Sequence, residues 1–343
     1  MAFARFFVSV WVYDDGEKTR EDTVARFSVG DIENVLFEAY PATDALPQDR
    51  FGLLVGDRTA IVSRIAIALD QTVPMVEGAA AAGCNLLVAH HPGFFLKPES
   101  FLEAPSAATA DGAVVYKAAQ KGVALLTMHT NLDCAPSAAE MLLAPVGLAF
   151  EAPLKPNGAG SLGQIARPVG REYVELGALA AAYQQEFGHV AKVWGDPGKP
   201  LFSVAACSGG AGEVVPEVVA ASVDCFVTGE LRHHEALYLA DENIALIELG
   251  HDISELPYRF ELRKVLVAAG FPPGDIIVLE PSATWWQVGV DAETAAGAAK
   301  DSRARRGNDR HEGMAGLDDT RGNAAGFDNR ETRAGEPYKE IPL

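Results

Sequence analysis

Apolar and polar positions along the chain fall into two alternating textures. Short runs rich in β-branched and small apolar residues occupy Ile61–Leu69, Asn85–Ala89 and Val123–Met128, and later Phe202–Ala206, Cys225–Val227, Ile244–Leu249 and Ile276–Leu279. Between them lie stretches with helical spacing: about Val73–Ala82 with Pro74 in its first turn, Gly112–Lys121, Glu213–Ala221, His234–Ala240 and Glu255–Ala269. Apolar runs without alternation suit strands covered on both faces. Strand and helix taking turns then predict a layered α/β/α fold with mostly parallel, mixed sheets in two similar α/β domains. The expected division is 23–140 plus 246–285 for one domain and 141–245 for the other. The Gly158–Gly163 stretch is expected to be a turn between them.

The two ends differ from this body. Residues 1–22 alternate through Val8-Ser9-Val10-Trp11-Val12 and then turn polar, which reads as an N-terminal extension, either an extra edge strand or a non-native addition. From Lys300 to Leu343 there are nine Lys/Arg, nine Asp/Glu and six Gly with few large apolar side chains. Such a segment buries too little to offset the entropy of ordering, so 286–343 is expected to be a disordered tail. Its Arg303-Ala304-Arg305-Arg306 cluster reads as solvated charge.

Charge narrows the functional classes. Lys+Arg number 28 against 47 Asp+Glu, a formal charge of -19. Because the tail is balanced, that excess falls on residues 1–299, and it argues against nucleic-acid or membrane-surface binding. No apolar run approaches the ~20 residues of a membrane span. The Phe6–Tyr13 run ends in Asp14-Asp15 without a cleavage signature. Cys84, Cys134, Cys207 and Cys225 are scattered without a CxxC pair. The expectation is a soluble cytoplasmic protein with reduced thiols.

Three polar clusters begin where predicted strands end: His90-His91, Asp133, and His251 with Glu255. That edge of a parallel sheet is where loops and helix N-termini converge on ligands. Histidine with carboxylate is a ligand set for Zn, Mn or Fe. Neighbours such as His90 and His91 point in different directions, so each suits a different ion. His251 and Glu255, four apart, share a face at the start of a helix, where a carboxylate can bridge two ions. Each cluster also has a plainer reading. Asp133 would cap the Ser137-Ala138-Ala139-Glu140 run, and His233-His234 would cap the next helix or approach the metal cavity. The Cys207-Ser208-Gly209-Gly210-Ala211-Gly212 segment reads as a tight turn, with backbone anion binding as its alternative. Cys134 and Cys207 read as small buried hydrophobes.

Four segments together resemble a known family. They are Leu86–Pro92 followed by Phe94-Phe95, Met128–Asp133, Val227–His234 and Gly250–Glu255, in the family's order and with about its spacing. The family is the NIF-three-like dinuclear metal-centre proteins, often labelled GTP cyclohydrolase I type 2 homologues. The resemblance runs from about Val29 to Glu280. It includes Phe51–Asp57, although the family's usual Trp-Asp-Asn lead-in is absent. It implies an NIF-three-like fold and two divalent ions held by His90, His91, Asp133, His251 and Glu255, with Glu255 bridging. It also implies a homohexameric toroid, and the interval from Asp133 to Val227 leaves no room for an inserted regulatory-like domain. Asp252 stands where the family has an aromatic residue and brings an extra carboxylate near the metals.

The function expected on these grounds is metal-dependent hydrolysis of a small molecule, with a nucleotide-like substrate suggested by the family label alone. An unligated histidine, His129 or His233, is then the expected proton shuttle. The other expectations are a metal-binding scaffold or metallochaperone without turnover and, third, an interaction hub using the acidic surface and the tail.

Overall fold

The computed structural model describes residues 27–103, 110–281 and 285. The expected extension over 1–22 and the tail over 286–343, including Arg303–Arg306, lie outside the described residues. The chain opens with α1 (Val29–Ala39), where the Ser28 hydroxyl accepts from the Asp31 N–H and the Asp31 carboxylate accepts from the Ser28 N–H. It continues through β1 (Gly52–Val55), β2 (Ile65–Asp70), α2 (Val73–Ala81), β3 (Leu86–His91), α3 (Ala110–Lys121), β4 (Ala124–Thr127), α4 (Thr130–Asp133) and α5 (Pro136–Leu143). A hairpin of β5 (Leu148–Asn157) and β6 (Gly160–Pro168) leads to β7 (Val174–Glu175), α6 (Leu176–Phe187), β8 (Lys192–Trp194) and β9 (Pro200–Leu201). Then follow β10 (Val204–Gly210), α7 (Val215–Ala221), β11 (Cys225–Glu230), α8 (His233–Asp241), β12 (Ala245–Glu248), α9 (His251–Glu255), α10 (Tyr258–Ala268) and β13 (Ile276–Val278).

Two mixed sheets result. The first has the order β1-β4-β3-β2-β13, parallel except for β1 at its edge. The second has the order β5-β6-β10-β11-β12-β8, with parallel β10-β11-β12 flanked by antiparallel strands. Strands β7 and β9 form a separate antiparallel pair. The unalternating apolar runs have the expected cause, since helices cover both faces. In β2, Ile65 and Ile67 join one core with α1 and α10, while Ala66 and Ala68 join another with α2 and α3. In β11, Cys225 and Val227 face the α6 side and Phe226 faces α7 and α8. The units β2-α2-β3-α3-β4 and β10-α7-β11-α8-β12 are thus the similar α/β halves.

Several expected elements are corrected. The strand at 61–69 begins only at Ile65, because Ile61 makes a single bridge to Ser28. The long helix over 255–269 is split at Pro257, which lacks an N–H to continue the α9 ladder. The Gly158–Gly163 stretch is mostly strand: Gly158 and Ala159 make a hairpin turn and Gly160 onward belongs to β6. Strand β12 pairs with β11 and β8, so the chain returns to the first sheet after Glu248. Among the described residues no helix is long and apolar enough to cross a membrane.

Helix α9 packs closely on the ends of β10 and β11, and glycine makes this approach feasible. A Cβ on Gly229 would lie 2.5 Å from the Gly209 carbonyl oxygen and 2.9 Å from the His251 Cα. Gly229→Ala should therefore lower stability by about 1–3 kcal/mol, read as an earlier denaturant midpoint. An unchanged midpoint would show that α9 can move away freely.

Candidate metal centre

The carboxyl ends of the parallel strands of both sheets converge on one cavity. Strand β2 ends in Asp70, β3 in His90 and His91, and β4 runs through His129 into α4 with Asp133. From the second sheet, β10 supplies Ser208, β11 ends in Glu230, and β12 leads through Gly250 to His251 and Glu255 on α9. This is the crevice outside the strand ends where open α/β sheets take ligands.

Four imidazoles there are each held at Nδ1. His90 Nδ1 lies 3.0 Å from the Met128 carbonyl oxygen, His91 Nδ1 2.8 Å from Asp70 Oδ1, His129 Nδ1 2.6 Å from Asp49 Oδ1, and His251 Nδ1 2.9 Å from Glu230 Oε1. With Nδ1 engaged, Nε2 is the nitrogen left to each ring, as in histidines that ligate metals. The rings are mutually close, with centroids 4.7 Å apart for His90 and His91 and 5.4 Å for His91 and His251.

Glu255 is the hub. Its buried carboxylate places Oε1 3.6 Å from His90 Nε2, and Oε2 3.0 Å from His91 Nε2 and 3.5 Å from His251 Nε2. Asp133 Oδ1 lies 3.7 Å from His90 Nε2 on the other side. Asp133 does not cap the following helix, whose N-cap is Ala135. Its carboxylate instead accepts from Ser208 Oγ at 3.4 Å, and Ser208 meets the Tyr258 hydroxyl. Gly209, at φ +62°, provides the space for Glu255, because a Cβ there would collide with Oε1.

Donor atoms gather within 4.8 Å of one another in three sets: His90, Asp133 and Glu255; His91, His251 and Glu255; and His90, His91 and His129. Two atoms at the centre, His90 Nε2 and Glu255 Oε2, are buried without a hydrogen-bond partner. His91 Nε2 is near Oε2 but not in hydrogen-bonding geometry. Buried polar atoms are ordinarily satisfied, and two unpartnered ones within these donor sets fit residues that would hold a cation. The donor set, nitrogen and oxygen without thiolate, fits Zn, Mn or Fe.

Electrostatics agree. Burial opposes charge on His91, but Asp70 and Glu255 outweigh it and push its pKa up to about 10. Burial likewise opposes charge on His90, and Asp133 and Glu255 still raise it. Burial disfavours the Glu255 carboxylate, yet His90 and His91 hold it far below the usual range. Burial pushes Asp133 up; His90 opposes this, and the charge of Glu255 adds to it.

The cavity measures about 850 Å³ and opens beside this cluster, with Val73, Pro74, Phe94, Phe95 and Leu162 among its apolar walls. His129 lines it, 5.4 Å from the Phe95 ring. His233 does not: it is exposed at the start of α8, its ring 5.7 Å from Trp194, because β11 ends at Glu230 and the chain turns outward there. Asp252 joins none of the three donor sets among the described residues. The expected turn at 207–212 is strand as far as Gly210. The Gly209 N–H donates to Ser254 Oγ and the Ala211 N–H to the Glu230 carbonyl, so neither is free for an anion. Burial pushes the Cys134 thiol up to about 11 and the Cys207 thiol well above its ordinary value, in keeping with inert buried thiols.

The family described as Duf34/NIF3 (NGG1p interacting factor 3) matches residues 27–273. The chain belongs to it. A Streptomyces coelicolor protein named "GTP cyclohydrolase 1 type 2 homolog" is 30% identical over 240 residues, covering 67% of this chain and 82% of the relative. A Clostridium acetobutylicum protein of the same name is 29% identical over 246 residues, covering 70% and 90%. Among solved structures, Staphylococcus aureus hypothetical protein SA1388 superposes with TM-score 0.68 at 21% identity, covering 76% of this chain and 99% of that one. A Bacillus cereus protein related to NIF3 gives 0.65 at 18%, covering 76% and 99%. These structural likenesses establish the NIF3 fold.

The sequence alone did not point to the residues that orient the histidines of this NIF3 chain. Asp49, Asp70 and Glu230 lie on separate segments, and of the three only Glu230 falls within one of the four family-like segments.

Metal ligands must be deprotonated, and a His91 with its pKa near 10 holds a proton at pH 8 when metal-free. Zinc binding at pH 8 should then release about one proton or more per chain. Calorimetry in two buffers of different ionisation enthalpy should give different heats. Equal heats would contradict this protonation state.

Proposed function

We propose that this NIF3-family chain is a dinuclear-metal-dependent hydrolase. His90, Asp133 and Glu255 would hold one divalent ion and His91, His251 and Glu255 a second, with the Glu255 carboxylate shared between the two sets. The observation that carries this reading is the pair of buried, unpartnered atoms, His90 Nε2 and Glu255 Oε2, on residues of two donor sets that share the Glu255 carboxylate. Two such ions, when bound, supply a water acidified toward neutral pH and polarisation of an electrophilic carbon or phosphorus. The chain's own residues do the rest. Asp70 and Glu230 fix His91 and His251 by their Nδ1 nitrogens, and His129, lining the cavity, accepts the proton released from water and returns it to the leaving group.

The cavity's apolar and aromatic wall suits a planar ring, and none of the described lining residues is Lys or Arg. A nucleotide-like substrate, the class named in the relatives' label, would therefore be held by its base rather than by its phosphates. On the same resemblance, the chain assembles as a homohexamer.

Protein purified without chelator should contain about two ions per chain, and Glu255→Ala should lose them together with hydrolysis of nucleotides and cyclic amides. A metal-free Glu255→Ala variant with full activity would overturn the proposal. Two ions bound without turnover on any such compound would favour the metal-binding scaffold instead.

A further inference from the structure

Asp49 lies on the loop before β1, far in sequence from the four segments that carry the metal-ligand pattern. It differs from the other carboxylates that orient histidines. The side chains of Asp70 and Glu230 are 44% and 62% exposed, whereas that of Asp49 is 5% exposed. Its carboxylate accepts from four donors. Oδ1 takes the Arg50 N–H at 2.6 Å and His129 Nδ1 at 2.6 Å; Oδ2 takes the Thr130 N–H at 3.0 Å and the Thr130 hydroxyl. The Thr130 hydroxyl oxygen also accepts from the Leu46 N–H at 2.9 Å. Two of the four donors, the Arg50 and Thr130 N–H groups, belong to the backbone and face one carboxylate oxygen each, and His129 is the one partner with two tautomers.

We infer that Asp49 is the positioning residue that locks His129 with its proton on Nδ1, so that a bare Nε2 serves as the proton acceptor of the cavity. The inference rests on the hydrolase reading for its catalytic consequence but not for the tautomer itself. His129 belongs to no donor set containing a carboxylate, and it lines the cavity beside the Phe95 ring. A buried acceptor on Nδ1 stabilises the ring as it takes a proton at Nε2.

The donor pattern dictates which change tests this. Asp49→Asn would set an NH₂ against a backbone N–H in either orientation, that of Arg50 or that of Thr130, whereas Asp49→Ala removes the acceptor from Nδ1 outright. The Nδ1–H is then no longer held, and with the proton on Nε2 the nitrogen left to the cavity becomes a donor.

The test is long-range ¹H–¹⁵N correlation on full-length, zinc-loaded protein with ¹⁵N-labelled histidine, assigned through His129→Asn. Wild type should show a protonated-type Nδ1 at His129, and Asp49→Ala should show the proton shifted to Nε2 with zinc content unchanged. A wild-type Nε2–H tautomer, or an unaltered tautomer in folded Asp49→Ala, would overturn the inference. The wild-type spectrum decides the matter alone if the variant does not fold. Where turnover is measurable, Asp49→Ala should lower kcat by about 10²–10⁴-fold with KM held. Failure of the hydrolase reading would leave the tautomer result standing.

Discussion

A carboxylate buried in the crevice between two sheets is the constraint on which the site depends. Removing the partners of such a charge costs roughly 3–5 kcal/mol, so Glu255 persists only where cations or protonated imidazoles surround it. In the metal-free chain His90 and His91 provide that compensation, as their raised pKa values show. Metal ions would replace those protons. Competition between proton and metal for the same nitrogens is therefore built into the arrangement.

The fold supports this carboxylate from both sides. Parallel strands deliver their carboxyl ends to one edge, and two βαβαβ units facing one cavity bring two such edges together. The first sheet contributes the His90-His91 pair, and the pleat separates their directions so that each meets a different donor set. The second contributes α9, a short helix whose i and i+4 positions are His251 and Glu255. Gly209 and Gly229 let that helix sit against the strand ends, linking backbone conformation to the position of the bridging oxygen atoms.

Much of this was legible in the sequence, for identifiable reasons. The buried parallel strands announced themselves because both faces are covered, giving unbroken apolar runs such as Leu86–Ala89 followed at once by two histidines. Helix α9 was legible through the His251–Glu255 spacing, although the break at Pro257 was read as continuous helix. The β5-β6 hairpin was not legible. Its alternation is interrupted by Pro153, Pro156 and three glycines, so that only Gly158–Gly163 stands out, as a turn. The orienting carboxylates were hidden for another reason: Asp49 and Glu230 reach their histidines across 80 and 21 residues. Tertiary proximity of that kind leaves no periodicity. The outward placement of His233 was likewise undecidable locally, since its segment ends a strand as the segments bearing His90, His129 and His251 do.

The central claim is that Glu255 lies between two ions. An anomalous difference map from zinc-soaked crystals tests it most directly. The account predicts two peaks about 3–4 Å apart flanking the Glu255 carboxylate, one beside His90 and Asp133 and the other beside His91 and His251. A single peak away from Glu255, or none at saturating zinc, would contradict it.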